Sequence, residues 1–323
     1  MFSKKSKLSL LLFLIVSFMI VIAGTAKSYS YNKPLLAQTT LDIATGDSIN
    51  KILSNFSISI LEQNLLKVFL YTNDIRSIQA GHYDVESKTY GEIFLDFSEG
   101  NIKEYRFKIQ EGTTIFDLEK LLLSSKLKLD CPDFNCLNNQ LNFTEGTLMP
   151  ETYFYNLNSP ASNILIKSQD SFIGYAEQLW KKKPSSNPLK TLDEAIILAS
   201  IVEKEAGNDK EKSIIAGVFL NRLNLNMRLQ ADPTIIYGLL PNFNGNITKI
   251  NLQDSSNRYN TYKINRLPPT PIAMISKSSL EAVILGLPND YVYFVAKGDG
   301  THYFSTDYAD HLKAVKKFQL NKS

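Results

Sequence analysis

Thr191-Leu-Asp-Glu-Ala-Ile-Ile-Leu-Ala-Ser-Ile-Val-Glu-Lys-Glu-Ala-Gly207 is the stretch around which the rest of the chain is organised. Thr191, with Glu194 three residues on, writes a capping box that satisfies two orphan amide donors at a helix start. Gly207 ends the helix. At ~100° per residue, Ala195, Leu198, Ala199, Val202 and Ala206 share one arc, with Ile201 beside it, and that arc is expected to face a core. Glu203 and Glu205 project about 200° apart, so only one of them can enter a given groove.

Glu205 falls on the flank of the apolar arc, between Leu198 and Ile201, while Glu203 falls near its more polar border. Apolar neighbours disfavour a charged carboxylate, and the partial negative charge of a helix C-terminus acts the same way. Glu205 is therefore the candidate for a carboxyl kept protonated near neutral pH, which is a general acid. A last-turn residue turned to solvent is the other reading that this helix alone leaves open.

A chain of 323 residues, 44% hydrophobic and 21% charged, is globular in composition and long enough for two ordinary domains. Leu8 to Ala26 is uncharged and almost wholly apolar, and it follows Lys4, Lys5 and Lys7. Its length suits a single spanning helix that anchors the chain, with the lysines in the cytoplasm and the body outside. Gly24 and Ala26 leave open a cut by a peptidase. Four lysines and no acid fall in residues 1–30, leaving 31 basic against 32 acidic residues beyond, so the net charge of +3 belongs to that end. The body lacks the basic stripe that a nucleic-acid partner would require. Cys131 and Cys136 suit a local disulfide outside the cytoplasm. His82, His302 and His311 are scattered without the spacing of a metal site, so neither metal nor cofactor is expected. No Gly-x-Ser-x-Gly elbow occurs, and neither cysteine has a nearby histidine, which disfavours a Ser or Cys hydrolase.

In chain order, Ser28 to Gln38 reads as a short tether. Thr40-Leu-Asp-Ile-Ala predicts a strand, Ser48 caps a small helix, Ser59 to Leu70 predicts a second helix, and Gly81-His-Tyr-Asp-Val a return strand. Lys103-Glu-Tyr-Arg-Phe-Lys-Ile, with Thr114 and Asp117 capping a helix to Leu123, loosely repeats that unit. The fold class is α+β. The Pro- and Asn-containing run from Asp130 to Leu141 is the expected boundary, giving an anchor over residues 1–30 and domains over 31–140 and 141–323. Beyond it, Asn163 to Trp180 predicts a helix, and Ile214 to Leu223 predicts another immediately after Gly207. Alternation in Met227-Arg-Leu-Gln-Ala-Asp-Pro-Thr-Ile-Ile-Tyr-Gly238 predicts a ribbon with one face in a cleft. Ser278 to Gly286 reads as a helix, Tyr291 to Ala296 and Thr301 to Ser305 as a hairpin about Gly298-Asp-Gly, and Tyr308 to Leu320 as a last helix.

Ala199-Ser-Ile-Val-Glu-Lys-Glu, Val218-Phe-Leu-Asn-Arg-Leu, Arg228-Leu-Gln-Ala-Asp-Pro-Thr, Tyr259-Asn-Thr-Tyr, Leu267-Pro-Pro-Thr-Pro-Ile and Tyr293-Phe-Val-Ala together resemble the endolytic murein transglycosylases of the YceG-like family. The resemblance covers roughly residues 143 to 320 and implies a lysozyme-like mixed α+β catalytic domain, preceded by a LysM-like α+β module. It implies that Glu205 is the catalytic acid and that the β-1,4 bond between N-acetylmuramic acid and N-acetylglucosamine is cleaved within a glycan strand to give 1,6-anhydro ends. Ala206 stands where many lysozyme-like relatives have Ser, so no hydroxyl contact is carried over there. Gln230, Asp232, Tyr237, Tyr259, Asn260, Thr261 and Tyr262 are the candidates for holding sugar. The implied setting is the plasma (inner) membrane, crossed once, with peptidoglycan strands as substrate. Glycan-polymerising penicillin-binding proteins and the elongation and division machinery are the implied partners. A hydrolytic muramidase and a non-catalytic peptidoglycan-binding scaffold are the competing readings.

Overall fold

The computed structural model describes residues 4–35, 38–138 and 140–320. Helices and short two-stranded ribbons alternate through the chain, as an α+β protein requires. It forms two compact units, one of residues 1–105 with 155–157 and one of residues 106–154 with 158–323.

The first unit opens with α1 (Lys4–Asn32), whose exposed run of Leu, Ile, Val and Phe from Leu8 to Val21 is long and apolar enough to cross a membrane. Then come β1 (Thr40–Ile43), α2 (Ile49–Ser54), α3 (Ile60–Thr72), β2 (Gly81–Asp84) and α4 (Tyr90–Glu99). β1 and β2 pair antiparallel, with Leu41 opposite Tyr83. Ser59 and Thr89 each close a full capping box, with Glu62 and Glu92, which is why α3 and α4 begin where they do. Leu66, Phe69, Tyr83, Phe94 and Phe97 form the unit's core.

The expected tether from Ser28 to Gln38 is not a loose segment where it is described; its residues 36 and 37 lie outside the described residues. α1 continues to Asn32, Ala26 and Ser30 are fully buried, Tyr29 stacks on Tyr90 at 5.9 Å, and Leu35 joins the core. The small side chains of Ala26 and Ser30 allow close helix packing, so the end of the apolar helix is part of the folded unit.

The chain enters the second unit within β3 (Glu104–Lys108), and α5 (Ile115–Ser124) follows. The compact units divide at residues 105 and 106. The cause is visible in the bonding of the segment after β3. Gly112 N donates to Met274 O, Met274 N donates to Thr113 O, and Ile115 N donates to the Glu145 carboxylate, tying α5 to the larger core. β4 (Thr152–Asn156) pairs with β3, and α6 (Ala161–Trp180) lies against α7 (Leu192–Glu205). The remaining elements are α8 (Asp209–Asn224), α9 (Asp232–Gly238), α10 (Lys249–Gln253), α11 (Lys277–Ile284), the antiparallel hairpin of β5 (Tyr293–Ala296) with β6 (His302–Ser305), and α12 (Tyr308–Val315).

α7 is the central helix. Its expected start holds, since the Thr191 side chain accepts from Glu194 N, but the expected box does not close, because the Glu194 carboxylate accepts from Lys190 N instead of Thr191 N. Its burial exceeds the single apolar arc: every residue from Ala195 to Val202 is buried, because α8, α9, α11 and the segment around Ile272 cover the remaining faces. Even Ser200 is enclosed, donating to Ile197 O and accepting from Ile272 N.

The expected ribbon over 227–238 is a helix in its second half. Pro233 occupies the first turn of α9, where its missing amide is no loss, and Thr234 folds its hydroxyl onto Ala231 O. Period-2 polarity there reflects an extended entry and a helix start rather than a strand.

Candidate active site

α7 delivers Glu205 as its last helical residue. Ala206 leaves the helix with extended backbone, and Asn208 caps α8 two residues after it, so the acid stands at a helix–helix corner. The corner rests on the β5–β6 turn, where Asn208 Nδ2 donates to Gly300 O at 3.2 Å. A pocket of about 530 Å³ opens beside Glu205, between Arg222 of α8, Gln230 and Asp232 at the entry to α9, Tyr262, and the face made by β5, β6 and α12.

Glu205 is half-buried, and burial pushes its carboxyl from an ordinary 4.5 up to about 7. The Asp232 carboxylate adds to the shift, and the Arg222 guanidinium opposes it. Arg222 is itself held by backbone carbonyls, donating from Nε to Val292 O at 2.7 Å and from Nη1 to Leu229 O, and its guanidinium lies 5.6 Å from the centre of the Tyr293 ring. Asp232 accepts from the Tyr262 hydroxyl at 2.7 Å, and burial with that bond raises the Tyr262 phenol. Gln230 takes a left-handed backbone, φ 51°, which sets the chain's direction as it passes the pocket.

Of the residues singled out in the sequence, Glu205, Gln230, Asp232 and Tyr262 line this one pocket. The other four sit behind its wall. Asn260 is fully buried, its amide donating to Asn251 O, Leu252 O and Asp254 O while its carbonyl accepts from Tyr262 N. Thr261 is equally buried, accepting from Ala231 N at 2.9 Å and meeting Thr234 Oγ1. The Tyr237 ring packs edge-on to Tyr259 at 4.8 Å; its hydroxyl donates to Glu145, and that of Tyr259 meets Thr270 Oγ1. These four fix the loop that carries Tyr262 and the helix that carries Asp232.

Glu203 points elsewhere. Its carboxylate accepts from Lys212 Nζ, Ser276 N and Ser279 Oγ, and so clasps the first turn of α11. Arg222, Tyr293, His302 and His311 line the pocket without having been singled out as site residues from the sequence. The alternation of β5 and β6 shows that a hairpin exists, but not which of its faces meets a cleft. Among the described residues, no group of three or more His, Cys, Asp or Glu residues could hold a metal ion.

Residues 41–317 match the family model described as YceG-like. The chain belongs to the YceG-like family. It is 33% identical over 229 residues, 67% of its length, to a Bacillus subtilis (strain 168) protein named endolytic murein transglycosylase. It is 28% identical over 245 residues, 74% of its length, to the Streptococcus pneumoniae (strain D39) protein of the same name. The matched regions are 60% and 43% of those two relatives. A crystal structure of a YceG-like protein from Listeria monocytogenes is similar in fold, with a TM-score of 0.55 and 28% identity, over 85% of this chain and 97% of that one. The match spans β1 through α12, and with them every residue of the candidate site discussed above.

Proposed function

We propose that this YceG-like chain is an endolytic lytic transglycosylase of peptidoglycan, with Glu205 as its catalytic acid. The observation that carries the reading is a carboxyl held near pH 7 in its pKa, half-buried at the base of a pocket large enough for sugar rings. The names borne by the Bacillus and Streptococcus relatives support the same substrate class.

In this mechanism Glu205 gives its proton to the glycosidic oxygen between N-acetylmuramic acid and N-acetylglucosamine as the C1–O bond breaks. Positive charge develops on the muramoyl ring, and the new Glu205 carboxylate faces it. The ring's own 6-oxygen attacks C1, its proton passing to Glu205, and a 1,6-anhydro end forms with no net water consumed. One carboxyl acting twice replaces the acid and nucleophile pair of ordinary glycosidases. Burial, with added repulsion from Asp232 held by Tyr262, favours the protonated form of Glu205, and Gln230 and Tyr262 offer hydrogen bonds to sugar.

On the same reading α1 crosses the plasma membrane once, with the second unit and the rest of the first outside it. The first unit acts as a LysM-like glycan holder through the groove bounded by Ile49, Lys67, Tyr71 and Arg76. Cleavage of strands as they emerge from the membrane would place the protein beside glycan-polymerising penicillin-binding proteins and the elongation and division machinery. The test is mass spectrometry of products from uncrosslinked glycan strands incubated with the full chain and with Glu205→Gln. Internal fragments with anhydro ends, lost in the variant, support the assignment. Reducing ends would mean a hydrolase, and strand binding without cleavage a scaffold.

A further inference from the structure

The pocket wall contributed by the β5–β6 hairpin carries an unassigned polar group. His302 opens β6 and lines the same pocket as Glu205. Glu211, on the first turn of α8, accepts from both His302 N and its Nδ1, each at 2.9 Å. Both side chains are nearly enclosed, each 11% exposed. A carboxylate that far out of water needs a bound partner, and here the partner is the imidazole. The ring is also held edge-on against Phe294, with centroids 5.5 Å apart.

Fixing Nδ1 decides what Nε2 can do. With Nδ1 committed to the Glu211 carboxylate, Nε2 is the ring's remaining polar atom, and it is a donor in the form of the ring that carries both protons. Glu205 and His302 reach one pocket through one contact. A Cβ built on Gly207 would lie 2.6 Å from Gly300 O, so these two glycines touch. Glu205 lies two residues before the first of them, and His302 two residues after the second.

We infer that His302, held by Glu211, is a second catalytic residue of this site, its Nε2 holding the 6-oxygen of the muramoyl ring beside C1. The inference rests on the transglycosylase reading and assigns the step that separates it from hydrolysis. When the ring carries both protons, a hydrogen bond from Nε2–H to the 6-oxygen leaves that hydroxyl's own proton free to pass to Glu205 as the O6–C1 bond forms. His302 gains and loses no proton over the cycle. Glu211, which acts through His302, is a positioning residue. Intramolecular attack depends on holding the 6-hydroxyl in line with C1, so the group that holds the 6-oxygen bears on the balance between anhydro and reducing ends.

The experiment compares the full chain with His302→Ala, His302→Gln and Glu211→Gln on uncrosslinked glycan strands, reading kcat, KM and the ratio of anhydro to reducing ends. His302→Ala is expected to lower kcat by about 100-fold, with a smaller change in KM, and to shift the remaining product toward reducing ends. His302→Gln, whose amide can donate from nearly the same place, recovers part of both rate and ratio. Glu211→Gln falls between the wild type and His302→Ala. A folded His302→Ala protein that keeps the wild-type ratio overturns the inference, whatever its rate, and so does a folded Glu211→Gln protein with the wild-type ratio and kcat. A wild-type chain that makes no anhydro ends overturns the transglycosylase reading instead.

Discussion

Glu203 and Glu205, two residues apart on one helix, end in opposite surroundings. Glu203 is met by an ammonium, a backbone amide and serine hydroxyls. Glu205 faces the pocket, where burial and the Asp232 carboxylate disfavour charge. The helix period separates the two side chains, and α8 and α11 complete the division by covering the Glu203 side.

Activity should therefore fall as Glu205 ionises. An acid must hold its proton, so kcat/KM is expected to be level below about pH 7 and to drop about tenfold per pH unit above it. A pH–rate profile checks this, and a profile that rises through pH 7 would remove Glu205 as the acid.

The same raised value bears on stability. Between pH 4.5 and about 7 the folded chain keeps a proton on Glu205 that the unfolded chain releases, so stability falls as pH rises across that window. The full penalty, at most about 3 kcal/mol, is present above it. Glu145 shares the sign and the window, since burial raises it to about 7 despite bonds from Ile115 N, Gly146 N and the Tyr237 hydroxyl. Glu205→Gln should thus unfold at higher denaturant than wild type at pH 8, with the gain vanishing near pH 4.5. Because Glu145 lies outside the pocket, Glu145→Gln should flatten part of the stability curve without abolishing cleavage.

How much of this was legible in the sequence depended on the distance over which each feature is encoded. The start of α7 at Thr191, the boxes at Ser59 and Thr89, and the β5–β6 hairpin are local patterns, and short-range chemistry fixes them. The partial burial of Glu205 was legible because burial of one helix face and its neighbours follows from the 3.6 period. His302 was not, because the carboxylate that orients it lies 91 residues earlier and each looks ordinary alone. Asn260 and Thr261 have the side chains of a sugar site, yet both fold inward to bind backbone, and nothing in Tyr259-Asn-Thr-Tyr tells the inward amide from the outward phenol. The burial of Glu203 hid for a similar reason, since Lys212 and Ser276 approach it from α8 and the start of α11.

Cys131 and Cys136 form a disulfide that closes a short loop, with a sequence separation of 5. On chain entropy such a loop is worth about 2 kcal/mol. The Cys131→Ser, Cys136→Ser double variant should lose about that much in a denaturant titration while keeping its cleavage rate, since neither cysteine lines the active-site pocket.

Lys212 offers a separate test of which glutamate works. Its ammonium is buried and shared among Glu203, Asp209, Ser276 and Ser278. Lys212→Met leaves Glu203 without its cation, and breaking a buried pair from one side costs about 3 to 5 kcal/mol. Stability should drop by that order, while the surviving folded protein cleaves glycan with the wild-type pH profile. A profile displaced along with the stability would instead tie Glu203 to the proton transfer.

The contact between Gly207 and Gly300 makes the corner itself testable. A methyl at position 207 would meet a backbone oxygen, which cannot swing aside as a flexible side chain can, so the β5–β6 turn has to move. β6 begins two residues after that turn, and a displacement of a few tenths of an ångström there shifts His302 relative to Glu205. Gly207→Ala should therefore cost about 1 to 2 kcal/mol of stability through overpacking. It should lower kcat by at least about tenfold, because reactions that depend on placement lose rate faster than folds lose energy. Pairing it with Gly300→Ala separates the causes. Gly300 has φ 83° and open space around its Cβ position, so that substitution strains the backbone without crowding the corner. If Gly300→Ala matches Gly207→Ala in stability yet keeps more activity, the spacing of corner and turn sets the rate. Equal losses of activity would point to the turn's conformation instead.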